Sequence, residues 1–113
     1  MTASNAPRAH DETRPLLLHL EPNVGFREVQ QALYIHTMTF RPLARPGKDE
    51  YPVGRVSTVN VVVDCVDRTT HEFAITSASG DSVSQCIPGG LRAVALHVSW
   101  RTVYGGELRV ACF

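Results

Sequence analysis

Val56-Ser-Thr-Val-Asn-Val-Val-Val-Asp-Cys-Val66 is the stretch that decides the fold. Val59, Val61, Val63 and Cys65 recur at every second position, the period of a pleated strand, and β-branched residues dominate. Val62 and Val66 make the other face apolar too, which places this strand centrally or beneath an interface. Working outward, His71, Phe73 and Ile75 alternate with Glu72, Ala74 and Thr76 after a turn at Asp67-Arg-Thr-Thr70. A short strand from Val83 to Ile87 is expected to stop at Pro88-Gly-Gly90. In the next strand Val94, Leu96, Val98 and Trp100 share one face, with Ala93, Ala95, His97 and Ser99 on the other. Tyr104-Gly-Gly-Glu107 suits a tight turn needing positive φ, and Leu108, Val110 and Cys112 form one face of the final strand. The absence of a polar tail after Phe113 leads to the expectation that the terminus packs on the domain.

Toward the N-terminus, Leu16-Leu-Leu-His-Leu20 reads as a first strand and Glu21-Pro-Asn23 as a turn. Phe26, Val29 and Leu33 fall at helical spacing among Glu28, Gln30, Gln31 and Ala32, so a short helix is expected over residues 24–33, with Asn23 as its cap. A single long strand from Phe26 onward is the competing assignment. From Tyr34 the composition turns aromatic and β-branched. Tyr34, His36, Met38 and Phe40 are expected on one strand face and Ile35, Thr37 and Thr39 on the other. The fold class expected is mainly β: one antiparallel sandwich or partly open barrel of about six to seven strands with one short helix. The alternative is an α+β fold with that helix packed on one sheet. Residues 1–14 form a polar arm too poor in apolar groups to order itself, and 15–113 form a single β-rich domain.

Composition excludes some functions. Eleven basic and eleven acidic residues give a formal net charge of zero, without the basic excess of a free-standing nucleic-acid binder. Zero net charge also removes the self-repulsion that keeps small proteins apart. Cys65, Cys86 and Cys112 are too few and too scattered for a zinc ribbon, and an odd count argues against a secreted disulfide framework. With no apolar leader core near Met1 and no Asn-x-Ser/Thr acceptor, the chain is expected in the cytoplasm or in a particle assembled there, with no membrane contact. Cys65 and Cys112 are expected to pack inside, and Cys86 to be the more exposed thiol.

Candidate sites are sparse. Arg41, Arg45, Lys48 and Arg55 surround a loop over residues 41–55 that also holds Tyr51, and these five residues form a candidate grip for an acidic protein or a phosphate backbone. Asp49 and Glu50 dilute that field. His19, His36, His71 and His97 lie on separate strands, and His36, His71 or His97 are the candidates for a pocket with acid–base chemistry. Asp64, Asp67 and Glu72 read as a solvated hairpin end, Gly80-Asp-Ser82 as a turn and not a nucleophile motif. No catalytic residue, metal site or cofactor is assigned. The function expected is a non-enzymatic assembly subunit, such as one in a viral or phage particle, docking through its arm and strand edges as a homo-oligomer or within a larger complex. The alternatives are a binding module using the 41–55 loop and a histidine-based ligand pocket or enzyme.

Overall fold

The computed structural model of the chain describes residues 15–44 and 55–113. The polar arm and residues 45–54 lie outside the described residues. Six strands follow in order: β1 (Leu16–Leu20), β2 (Asn23–Pro42), β3 (Ser57–Cys65), β4 (Thr70–Ser77), β5 (Val83–Thr102) and β6 (Gly106–Cys112). They form one antiparallel sheet in the order β1-β6-β2-β5-β3-β4. The mainly β class is therefore correct.

The helix expected over residues 24–33 is absent, and the competing long strand is what forms. Asn23 has φ 75°, the left-handed conformation that a short polar side chain tolerates, and it redirects the chain into β2 where it was expected to cap a helix. From there Val24 pairs with Arg101, Phe26 with Ser99 and Glu28 with His97. Helix propensities differ by only tenths of a kcal/mol per residue for most side chains, so a continuous ladder with β5 overrides them. The spacing of Phe26, Val29 and Leu33 was no core stripe, because Phe26 is 67% exposed while Leu33 is fully buried.

Two further assignments change through bulges. Gln30 pairs with Ala95 and Leu33 with Ala93, so Gln31 and Ala32 face the single residue Val94. Between Ile35 and Thr37, His36 is extra relative to β6, while β5 accommodates residues 87–90 at the same point. Each bulge moves later side chains to the opposite face. Hence Leu33 and Ile35 join Met38 and Phe40 in the core, and Tyr34 and His36 do not. On β5, Ala93 points inward with Leu96, Val98 and Trp100, whereas Val94 is 43% exposed. Pro88-Gly-Gly90 does not end a strand. Gly89 and Gly90, at φ 79° and 74°, carry β5 through its bend. Where no bulge intervenes the alternation holds: Val59, Val61, Val63 and Cys65 are buried, as are Leu108 and Val110, and Gly105 takes φ 88° in its turn. β3 has neighbours on both sides, Val62 is half-buried, and Val66 lies exposed beyond the strand end.

Straight strands of 20 residues would run about 66 Å at ~3.3 Å per residue, longer than a domain of this size is wide. Bending at the bulges lets the first half of β2 pair with β5 beside β3, and its second half pair with β6 beside β1. The sheet thereby folds over its own apolar face, and a single core draws on all six strands. Each fully buried Val or Leu there contributes about 1.5–3 kcal/mol of transfer free energy.

One junction fastens the open end of this fold. Trp100 Nε1 donates to the Glu21 carbonyl at 2.9 Å and Thr102 Oγ1 to the same oxygen at 3.1 Å. The Gly105 amide donates to Thr102 Oγ1 at 3.0 Å. Three segments are thus tied at one point: the β1–β2 turn, the end of β5 and the β5–β6 turn. Gly25, paired with Trp100, leaves room for the indole, since a Cβ there would lie 2.2 Å from the ring. At the other end, the Phe113 amide bonds the Tyr34 carbonyl at 2.9 Å, and its ring packs on Tyr34 and His36 with centroids 4.5 and 4.9 Å apart. The chain end does pack on the domain. Gly25→Ala is expected to cost about 1–3 kcal/mol by overpacking against the pinned indole, read as a lowered midpoint in urea denaturation.

Candidate functional site

Of the loop residues singled out from the sequence, Arg45, Lys48 and Tyr51 lie outside the described residues. Arg41 ends β2 and donates to Glu107 Oε1 through Nη2 at 2.8 Å and Nε at 3.2 Å, so its charge is already engaged on the outer face of β6. Arg55 is exposed and lines a shallow depression with Asn23, Val24, Arg101 and Thr102.

Among the described residues, His19, His36, His71 and His97 have separate partners and do not assemble into a shared pocket. His36 Nδ1 meets Thr37 Oγ1 at 2.9 Å, His71 Nε2 meets Thr69 Oγ1 at 3.2 Å, and His19 lies 3.9 Å from Glu107. Among the described residues, no group of three or more His, Cys, Asp or Glu side chains is arranged to hold a metal ion. Cys65 is buried, and desolvation pushes its thiol pKa up, away from reactivity. Cys112 is half-buried, its thiol donating to the Val110 carbonyl at 3.9 Å, and Cys86 is exposed. In the loop after β4, Asp81 accepts hydrogen bonds from Ser77 at its carbonyl and from Ser79 at its carboxylate, which accounts for Gly80-Asp-Ser82 as a turn.

His97 differs from the others. It lies on the outward face of β5, directly beside Glu28 of β2, with Asp64 of β3 diagonal to it. Nε2 approaches Asp64 Oδ2 at 2.7 Å, and Nδ1 approaches Glu28 Oε2 at 2.9 Å. Thr70 adds a 3.3 Å bond to the other Asp64 oxygen. The bond to Asp64 holds the His97 pKa above the ordinary imidazole value, aided by the charges of Asp64 and Glu28 and opposed by partial desolvation. That same bond holds Asp64 below the usual carboxylate range against partial desolvation. With both ring nitrogens committed to carboxylates, His97 has no free nitrogen for a substrate proton. The cluster is an ionic clasp across three strands and not an acid–base centre.

Asp64 is therefore more than a solvated hairpin residue, and Glu28 reaches the cluster because it lies on β2 and not on a helix. Only the register of β2, β5 and β3 brings these groups together. Asp67 does close the hairpin, accepting from the Thr69 amide at 3.1 Å and the Thr69 hydroxyl at 2.6 Å.

The other feature is the sheet's edges. Among the described residues, residues 23–30 of β2 pair with β5 alone, because β6 joins β2 only from Ile35 onward. β1 and β4 also pair on one side only, as does β5 over residues 83–86. Val24 and Phe26 are 68% and 67% exposed, the highest values among the large apolar side chains described. β4 presents none of this kind, and β1 presents Leu17.

Comparison with known proteins finds no matching family model, no matching curated protein and no matching solved structure. Among the described residues, no helix is long and apolar enough to cross a membrane. Fold and surface together define a mainly β protein with a charged clasp on one sheet face and an apolar open edge beside it.

The clasp has a definite pH signature. A raised imidazole pKa gives stability that is complete below the unfolded value of about 6.5 and lost as pH rises through the folded one. A lowered carboxylate pKa gives stability present above about 3.9 and lost as pH falls through the folded one. The cluster thus contributes most between about pH 4 and pH 6.5. Thermal melts are expected to show a larger fall in Tm from about pH 6 to about pH 9 for the wild type than for His97→Gln, and a smaller difference in high salt.

Proposed function

We propose that this chain is a non-enzymatic assembly protein that pairs with a second copy of itself through the open edge of β2, residues 23–30. The observation that carries this is the coincidence, on a half-strand that pairs on one side only among the described residues, of an open backbone edge with Val24 and Phe26 exposed beside it. An unpaired edge is a template for another strand, and natural proteins usually blunt it with charge, proline or a cover.

A second copy is the partner best matched to this edge. The chain carries no net charge to keep copies apart. Antiparallel two-fold pairing centred on Phe26 sets that ring against its copy, Val24 against Glu28, and Gly25 against Arg27. Centring on Arg27 or Glu28 would place like charges opposite each other. The polar arm over residues 1–14 is assigned a supporting part in that association.

Light scattering over a range of concentrations tests this with the full chain, Phe26→Asp, and a chain beginning at Pro15. The full chain is expected to have a mass of at least two copies. Phe26→Asp should bring it to one copy with an unchanged circular dichroism spectrum, and loss of the arm should weaken the association. A full chain that stays at the mass of one copy at its highest soluble concentration would overturn the proposal, as would an unchanged mass in Phe26→Asp.

A further inference from the structure

Residues 23–30 of β2 are held to the sheet chiefly through β5. They pair on one side among the described residues, Val24 and Phe26 point outward, and Gly25 and Val29 are only half-buried. Segments that bury little apolar surface open first in local unfolding. The clasp crosses this segment: Glu28 belongs to it, while His97 and Asp64 belong to the two strands behind it.

We propose that the Glu28–His97–Asp64 clasp is a proton-operated latch, which ties residues 23–30 to β5 and β3 while His97 is charged and frees them to open when it is neutral. The geometry supplies the mechanism. An imidazolium donates from both nitrogens and satisfies a carboxylate on each side. A neutral ring has one N–H and one lone pair, so one of the two carboxylates then faces a lone pair and loses its bond.

The surroundings sharpen the effect. On β3, Asp64 faces His97 diagonally, and Val62 stands directly opposite. On β4, Glu72 lies one strand further out, paired with Val62. On β2, Glu28 faces it and Arg27 lies on the opposite strand face, paired with Val98. Along β5, Ala95 and Ser99 flank it, and Arg101 is the next charged residue on that face. A neutral His97 therefore leaves Glu28, Asp64 and Glu72 on one face of the sheet without the positive charge that stood among them. Because the hydrogen bond to Asp64 raises the His97 pKa, the change of state falls on the alkaline side of the ordinary imidazole range.

The latch stands on the clasp geometry and not on the docking proposal, and its test reads one chain's own opening. Amide hydrogen exchange of the full chain, diluted until light scattering gives the mass of one copy and corrected for intrinsic rates, is followed at about pH 6 and about pH 8.5. Opening of residues 23–30 is expected to rise several-fold at the higher pH, while β6 changes little. In His97→Gln the segment should open readily at both pH values. Glu28→Gln, which keeps the Asp64 bond, should show a blunted response and serves if the first variant does not fold. The latch is overturned if residues 23–30 respond to pH no more than β6 does, or if the variants keep the full wild-type response.

Discussion

An apolar sheet face must be kept from water, and among the described residues there is no helix to cover it. The rest of the structure follows from that constraint. The sheet covers itself, and it does so because β2 and β5 run as one long ribbon bent where Gln31, Ala32, His36 and residues 87–90 break the ladder. Without those bends, Phe40, Met38 and Leu108 on one half would have nothing to meet, and Val59, Val61 and Val98 on the other would lie bare. The bend also explains why, among the described residues, one ribbon has two open edges. Each strand of the ribbon is covered along one half of its length and exposed along the other.

Strict alternation made β3 and β6 legible from the residues alone, because an unbroken strand needs no knowledge of its partners. Bulges are invisible to that pattern. Met38 and Phe40 were expected to share a face with Tyr34 and His36, and the extra residue at His36 separates them. Val94 exchanges with Ala93 for the same reason. Residues 24–33 illustrate a different loss of information. Their side chains favour a helix weakly, and the decisive term is a ladder with residues seventy positions away that no local window contains. Asn23 was correctly marked as a turning point, but its conformation starts a strand and caps no helix.

The clasp was hidden for a related cause. In the sequence His97 stands as one strand histidine among several, and Asp64 as part of a hairpin end. Joining them with Glu28 requires the register of three strands, which periodicity does not supply. The outward faces of β2, β5 and β3 thus combine two opposed tendencies. Val24 and Phe26 leave apolar surface exposed at the β2 edge, while the ionic clasp two residues along joins the same half-strand to β5 and β3. A protein that assembles through an edge needs that edge both exposed and straight, and the clasp meets the second need across β2, β5 and β3.

The most direct measurement of the central claim is disulfide cross-linking of a Phe26→Cys chain in a Cys86→Ser background, which removes the exposed native thiol. Opposed residues of an antiparallel pair lie about 4.5–5.5 Å apart at Cα, within the range a disulfide spans. The result expected is rapid conversion to a covalent dimer under mild oxidation, with a Thr76→Cys chain, on the open edge of β4, remaining single. Equal or slower cross-linking through position 26 would contradict pairing of two copies along β2.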